Sequence, residues 1–372
     1  MAVAYTPGLR VSENAVIRKQ RRLPMKGEVL VQLGRSVQAE EAVARAEMPG
    51  HLQTVRAAQM LQIEPQELQS CLLKRPGDEV EAGELIAQTK GLWGLFKSEL
   101  RSPISGRLEE FSATSGHIRI REPSRGVEVR AHIAGEVERI IEEEGAVIRA
   151  RGALIQGIFG VGGERRGHLR VAVDGPEAVL HAEDIGECEG CVLVAGAGAE
   201  SAAIAAAAEA GAVGLVVGAV RDEALREYVG HDIGVAITGQ EDVLMALILT
   251  EGFGELPMAR RTWELLTSLE GRLASIDGAT QIRAGVIRPE IIVTREGGAE
   301  DAEQELPAQV LSVGSRVRVI REPHFGALGR VIELPAEPTE IETESKVRIA
   351  MVELDNGDEA RVPRANLELI QE

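Results

Sequence analysis

Aromatic side chains are nearly missing from this chain: five Phe, two Tyr and two Trp in 372 residues. A core built without them must pack Ala, Val, Ile and Leu, which suits α/β layers and β-barrels. The scarcity also argues against a broad stacking platform for single-stranded nucleic acid. Cysteine is scarce as well. Cys71, Cys188 and Cys191 make no disulfide framework. The single Cys188-Glu189-Gly190-Cys191 pair supplies half the ligands of a structural zinc, so no metal site is expected. Positive charge is outnumbered, 41 Lys/Arg against 59 Asp/Glu, for a net charge of −18. Such a chain is repelled on average by phosphate backbones and anionic membranes.

The opening MAVAYTPGLRVSENAV lacks the charged-then-apolar order of a signal peptide. One long, weakly charged run, residues 202–220, reads as a helix, a Gly211 stop and a buried strand. As a membrane span it would place Glu209, Gly211 and Gly214 mid-bilayer. We therefore expect a cytoplasmic protein with no membrane span.

The length fits two to four domains. Residues 1–25 read as an N-terminal arm, whose Arg18, Lys19, Arg21 and Arg22 form the clearest basic patch. Residues 26–166 read as a β domain. Three passages in it, starting at Lys26, Arg75 and Ile133, repeat one pattern of a Gly, a short alternating strand, a turn and another short strand. A helical insertion is expected at 55–73, with apolar residues at Ala58, Leu61, Leu68 and Leu72.

From 167 to 295 the pattern changes to short apolar runs separated by helical stretches. Strands are expected at 169–173, 191–195, 214–220, 234–238 and 290–294, and helices at 200–210, 222–229, 241–249 and 259–273. Apolar strands alternating with helices imply a parallel sheet covered on both faces, a small Rossmann-like or swivelling α/β domain. Residues 296–307, EGGAEDAEQELP, are acidic and poor in large apolar side chains, as a linker is. A last compact unit spans 308–372. Its charged and apolar residues alternate over 316–320, Gly329 permits a tight bend, and Asn356-Gly357 gives a strong hairpin signal. Five strands closing into an SH3-like barrel follow.

Two resemblances sharpen this picture. Gly77-Asp78-Glu79-Val80-Glu81-Ala82-Gly83, the strand Leu85-Ile86-Ala87, and Ser102-Pro103-Ile104-Ser105-Gly106 resemble the biotinyl/lipoyl-type barrel-sandwich hybrid. That family carries a modified Lys at a tight hairpin tip; here Leu95 stands at that position, with Lys90 and Lys97 to either side, so the resemblance implies the fold rather than the carrier function. VGSRVRVIREPHFGALGRVIEL, from Val313, resembles the KOW motif of the bacterial elongation factor NusG and of some ribosomal proteins. The resemblance implies contacts with RNA or protein, made by Pro323, His324 and Phe325 on the first turn and by Arg316 and Arg318 on an exposed strand face. The module carries eight Lys/Arg against twelve Asp/Glu from residue 310 onward, which disfavours RNA. Phe325 reads equally well as barrel core.

Other candidate sites are thinner. Trp93 and Phe96 lie in an expected hairpin tip flanked by lysines, and read either as a hook for a protein partner, another copy of the chain or a membrane surface, or as packing on a neighbouring domain. Gly196, Gly198 and Ser201 open a helix after an apolar strand, and Asp222 follows the next strand. That is the context of a dinucleotide loop, although Glu200 within it would repel phosphate. The Gly-rich stretch from Gly160 to Gly163 reads as a hinge or a site of backbone crowding. The seven histidines show no metal-binding spacing and no nucleophile elbow is present. No catalytic residues and no cofactor are assigned. Three functions stay open: a binding or assembly protein, a KOW factor of the transcription or translation machinery near Arg316, Arg318 and Arg330, and a nucleotide-binding enzyme subunit.

Overall fold

The computed structural model describes residues 9–89, 97–231, 239, 241–281, 287–295, 311–319, 324, 327–335, 337, 339–340 and 346–369. The chain is mostly β, with few helices. Trp93, Phe96, Pro323, Phe325, the expected strand at 234–238 and the acidic linker fall outside the described residues.

One mixed sheet organises the body. Its order is Phe159–Val161, Ala246–Phe253, Gly214–Val220, Cys191–Val194, Glu164–Val171, Leu273–Asp277, Glu290–Thr294, Gly145–Gln156, Gly135–Ile141 and Ser36–Val37, with Val11–Arg22 paired to Gly145–Gln156 as the eleventh strand. Four strands are mutually parallel: Glu164–Val171, Cys191–Val194, Gly214–Val220 and Ala246–Phe253. Cys191–Val194 and Gly214–Val220 are apolar and buried throughout, and Ala246–Phe253 is so as far as Leu249, because both faces are covered there. Helices Ser201–Glu209 and Asp222–Val229 press Ala203, Ile204, Ala207 and Leu225 onto Leu193, Leu215 and Leu247 on one face. Helix Arg260–Ser268 presses Leu266 onto the other, against Val192, Val216 and Ile248.

Residues 241–249 correct an expectation. They do not form a helix; Ala246–Phe253 is a central strand, with Ala246, Leu247, Ile248 and Leu249 all fully buried. A surface helix would carry a polar face along its length, and residues 243–249 have no polar side chain. The continuous apolar run is the strand signal.

The N-terminus corrects another. Residues 11–22 are a twelve-residue strand rather than an arm, paired from Val11↔Ile155 to Arg22↔Gly145 with one irregularity between Ser12 and Ala15. Ala15 and Ile17 alternate into the core of the first lobe beside Ile133, Val137 and Ile148. The basic run continues the alternation, and each of its cations meets a carboxylate: Arg18–Glu138, Lys19–Glu290, Arg21–Glu164 and Arg22–Glu144.

Between strands Ala42–Met48 and Arg125–Arg130 the chain leaves this lobe and builds a separate core. Strands Leu52–Val55, His117–Arg121, Gly106–Ser112 and Glu79–Val80 form one small sheet, and Leu85–Gln88 with Glu99–Arg101 another. Short helices Ala57–Leu61 and Leu68–Cys71 place Leu61 and Leu68 against Ile86, Leu100, Leu108 and Ile118.

The C-terminal unit is a five-stranded antiparallel sheet, in the order Glu359–Pro363, Ile349–Leu354, Leu328–Glu333, Arg316–Val319, Leu367–Leu369. It has its own core of Val317, Val319, Val331, Val352, Val362 and Leu367. At Gly329 a Cβ would lie 2.5 Å from the Glu353 carbonyl, so the close strand crossing needs glycine.

Candidate functional sites

Three places gather polar side chains. The first is the junction between the C-terminal unit and the body. Arg318 projects from strand Arg316–Val319 away from solvent, with only 2% of the residue exposed. Its guanidinium pairs with Glu251 of strand Ala246–Phe253. The Glu251 carboxylate also accepts the Ala259 N–H at 3.0 Å, at the start of helix Arg260–Ser268. A gap of about 40 Å³ remains beside the pair, walled in part by Leu9, Thr250, Thr262 and Leu369. Arg318 is therefore not on an exposed binding face: the body covers it. Arg316 is bonded through both terminal nitrogens to Asp355 in the Asp-Asn-Gly turn, and Arg330 reaches the Gly314 carbonyl at 3.1 Å. His324 is exposed in a bend.

The second place is a crevice of about 470 Å³ at the carboxyl ends of the four parallel strands. Segments following each strand line it: Val179 and His181, Gly198 to Ser201, Arg221 and Glu223, and Gly254 with Glu255. Carboxyl ends of parallel strands are where α/β sheets take ligands. Gly198 and Ser201 stand in this wall, but Gly196 and Asp222 do not. A Cβ on Gly196 would lie 2.4 Å from the Gly175 carbonyl and 2.5 Å from that of Ala178, so backbone crowding explains that glycine. Asp222 pairs with Arg226 one turn along its own helix, at 2.6 Å. The loop amides are engaged too: Ala197 N–H donates to Ala178 at 2.8 Å and Glu200 N–H to Leu180 at 3.3 Å, while Gly198 and Ala199 pair with Val179 and Leu180. The amides of the loop before helix Ser201–Glu209 are thus turned to backbone partners, and three Glu side chains line the crevice. On the rim, His181 Nδ1 lies 3.2 Å from Glu200, whose hydrogen bond and charge raise the imidazole pKa. Arg221 lies 3.1 Å from Glu255.

The third place was not legible in the sequence. Where the first lobe meets the parallel strands, five segments bring charged groups together: Lys19 and Arg21 from Val11–Arg22, His132 from the turn before Gly135–Ile141, Glu164, Asp277 and Glu290. Glu164 and Asp277 face each other across their strands, as do Asp277 and Glu290. Arg21 grips Glu164 with two nitrogens, and Lys19 pairs with Glu290. His132 is 7% exposed and stands at φ +69°, a left-handed conformation uncommon for a residue other than glycine. Its carbonyl accepts the buried Ser275 hydroxyl, its Nδ1 lies 3.6 Å from Glu164, and its Nε2 has no hydrogen-bond partner among the described residues.

Burial pushes the imidazole pKa down to about 4, against the opposing pull of Glu164. Burial works against the Glu164 carboxylate as well, but the Arg21 hydrogen bond and the His132, Arg21 and Lys19 charges outweigh it and leave its pKa below the ordinary value. Asp277, desolvated and beside Glu164, moves the other way. Opposed shifts on facing carboxylates are a pattern shared by acid–base sites and by structural ion networks.

The remaining candidates are structural. Cys188 and Cys191 are buried, and desolvation with the neighbouring Cys188 raises the Cys191 thiol to about 12. No group of three or more His, Cys, Asp or Glu side chains gathers as a metal site among the described residues. Among them too, no helix is long and apolar enough to cross a membrane. At Gly160 a Cβ would crowd the Gly278 and Leu247 carbonyls, at 2.7 and 2.9 Å, which gives the stretch from Gly160 to Gly163 a packing role. Comparison with known proteins finds no family model that matches the chain and no curated relative similar to it.

Proposed function

We propose that the chain is a non-catalytic binding and assembly protein. It presents a C-terminal SH3-like barrel of the KOW type, and the segment carrying Trp93 and Phe96, to protein partners from a fixed frame. In this reading the unit between residues 51 and 122 is a barrel-sandwich hybrid kept for its shape, and residues 167–295 are a Rossmann-like spacer.

The observation that carries the proposal is the Arg318–Glu251 pair. It joins the module to the body through a buried contact, and it takes out of circulation an arginine that RNA binding through this strand would use. Arg316, engaged by Asp355, is diverted in the same way. What then distinguishes the module from a free RNA-binding barrel is its docking, which suits a platform.

The test is purification of a tagged copy from its own host, with and without nuclease, followed by identification of co-purifying chains. Recovery of one or two stoichiometric polypeptides that survive nuclease supports the proposal. Ribosomal or polymerase subunits that vanish with nuclease overturn it in favour of a nucleic-acid factor. Recovery of the protein alone, monomeric by light scattering, also overturns it.

A further inference from the structure

We propose that the crevice bounded by Gly198, Glu200, Ser201, Arg221 and Glu255 binds a small zwitterion, a free amino acid or a close analogue bearing both an ammonium and a carboxylate. This goes beyond the assembly role and is independent of it.

Three observations support a ligand there. The crevice holds about 470 Å³, within the range of small-molecule sites, and it is lined by the segments that follow all four parallel strands. Second, Gly198 is a glycine that packing does not require. Its φ is not left-handed, and an added Cβ would meet nothing nearer than the Glu255 side chain at 3.7 Å. Gly196 and Gly218 nearby are each forced by carbonyls at 2.4 Å. At Gly198 the chain instead keeps bare backbone in a cavity wall, which lets a ligand approach closely.

Third, the rim carries both signs of charge. Arg221 and His181 line the crevice together with Glu200, Glu223 and Glu255. The helices Ser201–Glu209 and Asp222–Val229 both begin at this wall, adding their positive ends. The His181–Glu200 and Arg221–Glu255 pairs are about half exposed or more on every side chain, so water already competes for them and a ligand exchanges for them cheaply.

The charge pattern selects the ligand class. A phosphate ester, with its higher negative charge and no cation of its own, would meet three carboxylates. A simple amine would draw Glu255 away from Arg221 and leave the two helix ends unanswered. An α-amino acid answers both halves: its carboxylate toward Arg221 and the helix N-termini, its ammonium toward Glu200 and Glu255.

The test uses the full chain in isothermal titration and thermal-shift assays. The probes are the free amino acids one at a time, the amine and carboxylic-acid analogues of any that bind, and ATP and NAD. The expected result is saturable binding of at least one amino acid, weakened at least about tenfold when either its carboxylate or its ammonium is removed. Gly198→Leu, which has room for its Cβ but fills the crevice, abolishes binding with the melting temperature kept. Glu255→Gln and Arg221→Gln each weaken it. Absence of binding by every amino acid at 10 mM, equal binding of the amine analogue, or binding untouched by Gly198→Leu overturns the inference. So does saturable binding of ATP or NAD that Gly198→Leu blocks.

Discussion

Arg318 and Glu251, sixty-seven positions apart, form an ion pair whose side chains are 3% and 12% exposed, where the C-terminal unit meets the body. Breaking one side strands the other. Arg318→Met leaves the Glu251 carboxylate buried with only the Ala259 amide, and should cost about 3–5 kcal/mol. The double variant Arg318→Met/Glu251→Leu removes both charges and should recover most of that loss. Urea denaturation of the four proteins in a double-mutant cycle checks it.

His132 makes stability depend on pH. Its folded pKa of about 4 lies below the ordinary 6.5, so the unfolded chain takes up a proton that the folded chain refuses. Stability is complete above pH 6.5 and falls as the pH drops toward 4, by about 3 kcal/mol from this residue. His132→Asn removes the titration while tolerating the positive φ. Its unfolding free energy, measured by denaturant titration from pH 7 to 4, should decline less steeply than that of the native chain.

The two loop glycines should separate cleanly. Gly196→Ala drives a methyl group into the carbonyls of Gly175 and Ala178 and should cost about 1–3 kcal/mol. At Gly198 an added Cβ makes only ordinary van der Waals contacts, at 3.7 Å or more, so Gly198→Ala should leave the melting temperature nearly unchanged. Thermal unfolding of the pair of variants distinguishes a packing glycine from one that borders a cavity.

All three thiols should be silent in the native state. Cys71, Cys188 and Cys191 are buried away from any reagent, and the Cys191 thiol, with a pKa near 12, is almost wholly protonated at pH 8. A chromogenic disulfide reagent at pH 8 should label none of them within minutes, and all three after addition of guanidinium. Rapid labelling of Cys191 in the native protein would contradict the burial.

Much of the α/β region was legible. Gly214–Val220, Asp222–Val229 and Glu290–Thr294 begin and end where apolar runs and helix starts place them. The segment from 241 to 249 misled because a stretch between helices invites another helix, although its unbroken burial potential favoured a strand. Residues 18–22 misled for a different reason. Charges at Lys19 and Arg21 hid a two-residue alternation that Ala15 and Ile17 had begun, since the inward positions face carboxylates rather than aliphatic groups. The cluster around His132 had no signal to find. Its members come from segments up to 271 positions apart, and no spacing rule joins Lys19 to Glu290. The crevice was half visible: Gly198 and Ser201 were found by loop context, whereas Arg221 and Glu255 converge only through strand order.

Strand Gly145–Gln156 has one edge taken by Val11–Arg22 and the other divided, residues 145–149 going to Gly135–Ile141 and residues 152–156 to Glu290–Thr294. During synthesis that second partner emerges some 140 residues after the strand itself, at elongation rates of about 5–20 residues per second. For several seconds the nascent chain therefore carries an open apolar edge, with Leu154 and Ile155 unmatched, while the separate core between residues 51 and 122 has everything it needs to close. The order in which the ribosome delivers the chain makes residue 294 the closing piece of a sheet begun at residue 11.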